Sequence, residues 1–181
     1  MSRLIGTAIV TSIALLFCEP VARAQARGPD VTLTLSSEKS TYSLTGDLSL
    51  TASLRNERSL DPVFVFSYIG WGTGAGVDLR IEDLQGKAAR GNLTLDNMPL
   101  PFPEPIDATS FVRLCLGCFF GVSLQQPISN FISAPGRYRL RAIYASVVYP
   151  NLVDEKLRHL NVLWHGHPPI VSPWITIDVK P

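Results

Sequence analysis

Residues 133 to 148 read SAPGRYRLRAIYASVV, and this stretch decides the fold. Pro135-Gly136 is a turn signal, after which Tyr138, Leu140, Ala142 and Tyr144 alternate with Arg137, Arg139 and Arg141. A period of two residues with charge on one side predicts a strand with one buried face.

Working outward, the same period recurs. Val31, Leu33 and Leu35 alternate with threonines, and Leu48, Leu50, Ala52 and Leu54 follow a turn over Tyr42 to Gly46. Val63 to Tyr68 is apolar on both faces, which predicts a strand central to a sandwich. Val77, Leu79 and Ile81 alternate with Asp78, Arg80 and Glu82; Phe111 to Leu114, Phe119 to Leu124 and Trp174 to Val179 supply further strands. The glycine-rich run Ile69 to Gly76 lacks the Gly-Lys-Ser/Thr ending and following helix of a phosphate loop, and is expected to be a flexible loop. Pro99, Pro101, Pro103 and Pro105 recur at every second residue, unlike the three-residue polyproline repeat, and suggest a rigid crossover between sheets. Pro150-Asn151 opens the one helical signal, with Asp154 and Glu155 early and Lys156, Arg158 and His159 late, matching the helix dipole. The expected fold is all-β: an immunoglobulin-like antiparallel β-sandwich of about seven or eight strands, with one short helix before the last strand.

Two motifs carry a family resemblance. Gly-x-Tyr-x-Leu at Gly136 to Leu140 resembles the tyrosine corner of immunoglobulin-like sandwiches, which implies that the Tyr138 hydroxyl bonds backbone just upstream. Leu140 stands where true immunoglobulin domains carry cysteine. The order strand, x-Tyr-x-x-x-Gly-Asp, strand, Arg-Asn over Val31 to Asn56, and again the stretch Gly117 to Val148, resembles macroglobulin-type and intracellular proteinase inhibitor-type domains. That resemblance implies proteinase inhibition as one function.

The amino terminus has the three parts of a secretory signal peptide: Arg3, an apolar run from Leu4 to Phe17, and Ala22-Arg23-Ala24. The expected organisation is a leader over residues 1–24 and a single domain over 25–181, exported to a periplasmic or extracellular space. The apolar run is too short to cross a bilayer and no later stretch comes close, so no membrane insertion of the mature chain is expected. Of the 16 Lys+Arg and 15 Asp+Glu, Arg3, Arg23 and Glu19 fall in the leader. The remainder is neutral, which removes the electrostatic case for nucleic acid. Cys18 also falls in the leader, leaving Cys115 and Cys118 as a pair.

Cys115-Leu116-Gly117-Cys118 suits a type II turn short enough for a structural disulfide. Free thiols and redox or metal chemistry are the alternatives, the redox one weakened because strand sequence follows Cys118 where thiol motifs need a helix. His165 and His167 would point the same way in extended backbone and could reach one metal ion, but two imidazoles do not complete a site. Trp164 beside them is a core residue or a binding anchor. Arg137, Arg139 and Arg141 form a stripe that pairs with cross-strand carboxylates or holds an anion. The segment from Asn151 to Pro173 is far longer than the usual loop of about five residues, so contacts are expected at its tip. Replacing 161–168 by a Gly/Ser linker is expected to spare the fold. No G-x-S-x-G or H-E-x-x-H motif occurs, and no cofactor or catalytic residue is expected. These readings favour a non-catalytic binding domain. Proteinase inhibitor, periplasmic metal-binding protein and thiol oxidoreductase follow in that order.

Overall fold

The structure is a computed structural model and describes residues 30–72, 74–89 and 105–181. The expected leader, and Pro99, Pro101 and Pro103 of the expected crossover, lie outside the described residues. Eleven strands are present among them: β1 (Val31–Ser37), β2 (Thr41–Ser43), β3 (Asp47–Asn56), β4 (Val63–Phe66), β5 (Gly70–Trp71), β6 (Gly76–Asp83), β7 (Phe111–Leu114), β8 (Phe119–Pro127), β9 (Gly136–Tyr144), β10 (Ile170–Val171) and β11 (Ile175–Lys180).

All but β4 and β7, which pair with each other, form the two layers of a β-sandwich. One sheet has the order β1-β3-β8, and the other β2-β11-β9-β6-β5 with β10 attached to β9. Pairing is antiparallel except for β2 with β11 and β5 with β6, which are parallel. The core follows from the two-residue period. Val31, Leu33 and Leu35 of β1 and Leu48, Leu50, Ala52 and Leu54 of β3 are buried against Leu140, Ala142 and Tyr144 of β9 and Ile177 and Val179 of β11. Alternation places these residues on the inner face of each sheet, and their transfer out of water is the main favourable term.

Tyrosine and asparagine side chains pin the ends of this frame. The Tyr138 hydroxyl donates to Ala134 O at 2.9 Å, as the tyrosine corner implied. A side chain at Gly136 would press on the Tyr138 ring at 3.3 Å, which explains the Gly-x-Tyr spacing. Tyr42 donates to Ser49 O at 3.1 Å and accepts from Lys39 N at 3.2 Å. Asn56, fully buried, extends the inner row of β3; its amide donates to Ser59 O and Leu114 O and accepts from Ser59 N, so burial leaves no polar atom unmet.

Two expectations change. The doubly apolar β4 is not central to either layer: its strand partner is β7, and on its other edge Phe64 forms a single parallel bridge with Val162. Val63 and Val65 enter the main core, whereas Phe66 enters a second cluster with Ile106, Phe111, Val148, Val153 and Val162. Both faces are apolar because the strand divides two cores. The single helix is replaced by two 3-10 turns, Pro150–Leu152 and Glu155–Leu157. Asp154 caps the second by accepting from Lys156 N at 3.0 Å, so the cap signal is real although no α-helix follows it.

Candidate functional site

The long excursion after β9 docks back onto the sandwich. Leu163 N donates to Phe64 O, Phe64 N donates to Asn161 O, and His165 N donates to Val148 O at 2.7 Å. Val162 and Leu163 are thereby buried, and Trp164 meets Phe111 edge-on at 6.2 Å in the second core. Trp164 is therefore a packing residue, and exchange of 161–168 for a linker would strip both cores instead of sparing the fold.

Docking brings His165 onto Tyr149. The rings stack at 3.9 Å between centroids, and the Tyr149 hydroxyl lies 3.0 Å from His165 Nε2. Facing them is the glycine-rich segment, which is more ordered in its described residues than a flexible loop. Gly70 N donates to Ala75 O, Ala75 N to Gly72 O and Gly72 N to Val77 O, while Gly72, Gly74 and Gly76 all have positive φ. Gly76 at φ +105° also has Ile69 Cγ2 3.1 Å from where a Cβ would sit, so only glycine fits there without strain.

Between these walls lies an open cleft of about 410 Å³, lined by Gly72, Gly74, Gly76, Asp78, Ile143 and the segment Ala145–Val147 as well as Tyr149 and His165. Behind it, Tyr144 is buried in the core. Burial pushes its phenol up to about 12; Ser146 opposes the shift but lies outside hydrogen-bond geometry, leaving the hydroxyl without a partner among the described residues.

His165 and His167 do not converge. His167 N donates to Trp164 O at 3.1 Å and Gly166 has φ +92°, so 164–167 is a turn with a left-handed third residue. The extended backbone that would align the two rings is absent. His165 faces the cleft, while His167 Nδ1 lies 2.9 Å from Pro168 O and borders a separate groove beside Thr32 and Thr34. Among the described residues no group of three His, Cys, Asp or Glu side chains is placed to hold a metal ion.

Cys115 and Cys118 occupy the turn expected of them, with Cys118 N donating to Cys115 O at 2.9 Å and Gly117 at φ +79°. Both are exposed free thiols, however, and not a disulfide. The strands they end diverge: β7 pairs with β4 and β8 with β3. Cys118 leads straight into β8, so no helix amino terminus activates either thiol.

The arginine stripe projects from the outer face of β9, largely paired. Arg137 grips Asp178 with two bonds, 2.6 and 3.2 Å. Arg139 grips Glu82 at 3.1 and 2.7 Å, and Arg80 binds the other Glu82 oxygen. The Arg139 bonds hold the Glu82 carboxyl below the ordinary range; burial opposes them, and Arg80 adds to the lowering. Arg137 likewise lowers Asp178 and has its own value raised in return. Arg139 and Arg141 both sit over the Trp174 ring, 4.6 and 4.4 Å from its centroid.

Tyr149, Ser146, Asp78 and Trp174 were not singled out by the sequence. Tyr149 meets His165 across 16 residues, a partnership with no local signal, whereas Trp174 stood beside a readable strand and across from a readable arginine.

No family model matches the chain, and no curated protein matches it. Among solved structures, the chain is similar to the CARDB domain of the PF1109 protein from Pyrococcus furiosus, determined in complex with di-metal ions. Identity is 12%, the match covers 84% of this chain and 89% of that one, and the TM-score is 0.35. The sandwich assignment follows from the strand pairings of this chain.

Proposed function

We propose that the chain is an exported, non-catalytic binding domain that takes a small ligand in the cleft between the glycine-rich segment and the Tyr149–His165 pair. The observation that supports this reading is the docking of His165 onto Tyr149, which completes a cleft within the usual size of small-molecule sites, roughly 300–1,000 Å³. The stacked rings offer a flat apolar wall, and Asp78 and Ser146 supply polar contacts at its base. A ring-shaped ligand with hydroxyl or amino groups suits that lining.

Saturation-transfer NMR against a library of monosaccharides, nucleosides and aromatic amino acids tests the reading. Hits on the wild type should be lost in Tyr149→Ala and His165→Ala, whose side chains are exposed enough for the fold to tolerate removal. Hits retained by both folded variants would move the site away from the cleft.

A further inference from the structure

On the outer face of the larger sheet, Arg80 of β6 stands directly opposite Arg141 of β9. Like charges at opposed positions of an antiparallel pair destabilise it. Arg80 is compensated by Glu82, which Arg139 also uses. Arg141 has no carboxylate partner among the described residues, and its Nε is buried without a hydrogen bond. An unmet buried donor on a guanidinium is costly, because desolvation is not repaid. Three guanidiniums thus share this patch with two carboxylates, Glu82 and the Asp78 that borders the cleft.

Trp174 fixes the shape of the patch. Its ring lies under both Arg139 and Arg141, which holds the two side chains against the sheet instead of leaving them free in solvent. Arg139 spends Nε and Nη2 on Glu82, whereas the terminal N–H donors of the stacked Arg141 guanidinium form a planar set that matches the oxygens of a tetrahedral anion.

We propose that this face binds a phosphate or sulfate group, with Arg141 as the principal ligand, Arg80 as the second, and Trp174 as the platform that orients the forks. Such a group supplies acceptors to the terminal guanidinium nitrogens of Arg141, whose Nε stays buried, and relieves the repulsion between Arg80 and Arg141. Asp78 bounds the patch and disfavours a second negative group on that side. The site is independent of the cleft ligand, since none of its cationic residues lines the cleft.

The test is titration of the purified protein with sodium sulfate at constant ionic strength, read by NMR of the arginine Nε–H and tryptophan indole signals. Saturable shifts at Arg141 and Trp174 are expected, with affinity about tenfold weaker in Arg141→Gln. Arg141→Lys, which keeps the charge and loses the fork, should also bind about tenfold more weakly. Arg137→Gln, which breaks an ion pair outside the patch, should leave the affinity unchanged. A parallel titration with a sulfated disaccharide separates the sources: tighter binding than sulfate assigns an ester, and equal binding assigns the free anion. Absence of saturable shifts, or an equal loss in Arg137→Gln, would overturn the proposal.

Discussion

Arg139 and Arg141 on β9, and His165 and His167 at the tip, have the same spacing in sequence and opposite outcomes in space. On β9 the alternation holds, and both arginines come to one indole ring. At the tip Gly166 takes φ +92° and the two imidazoles border different surfaces. The difference is the backbone. β9 is held on both sides, by β6 and by β11, so its period cannot slip. The tip is held by single main-chain bonds that permit a turn between the histidines. Two-residue spacing places side chains together only where a ladder enforces extension.

The largest expected effect strikes the start of the enforced strand. Tyr138→Ala should cost about 2 kcal/mol in denaturant melts, since a half-buried ring and its bond to Ala134 are both lost. Tyr138→Phe should cost about 1 kcal/mol, the worth of the hydroxyl bond alone. Equal, negligible losses would mean that the corner does not anchor β9.

Next comes the turn that breaks the alternation. Gly166→Ala meets no atom within 4 Å, so its cost is the left-handed φ alone, about 1 kcal/mol. Along with this loss, the His165 ring should shift away from Tyr149. A neutral substitution, with the rings unmoved, would show that the positive φ is not what separates the histidines.

The smallest effect is electrostatic and belongs to the arginine face. Glu82 and Asp178 have depressed values, so the stability they contribute is present above the ordinary carboxylate range and is lost as the pH falls through their lowered values. Melts between about pH 7 and pH 3 should show this decline, flattened in Glu82→Gln. An unchanged decline in that variant would assign the acid sensitivity to other carboxylates. The Asp178 pair is solvent-exposed and Glu82 is buried beneath its arginines, so added salt should reduce the Asp178 contribution more than that of Glu82.

How much was legible in the sequence follows the same division. The strands containing Leu33, Leu50, Leu140 and Ile177 were readable because each buries one face, and so was the Tyr138 corner, because Gly136 and Tyr138 are near neighbours. β4 was read as a strand but misplaced, since a doubly apolar run looks the same between two sheets as between two cores. The partnership of Tyr149 with His165 left no trace, because it is set by how the tip docks through Leu163 and Phe64. Glu82 read as an outward residue, as its position requires, but two arginines cover it so fully that it is 3% exposed.

The docked tip is the central claim, and nuclear Overhauser contacts of the His165 ring test it most directly. Strong contacts to the Tyr149 ring are predicted, at the 3.9 Å stacking distance, with none to the His167 ring. Contacts between the two histidine rings, with none to Tyr149, would contradict it: the tip would then be extended, the cleft open on one side, and a shared metal site available to the pair.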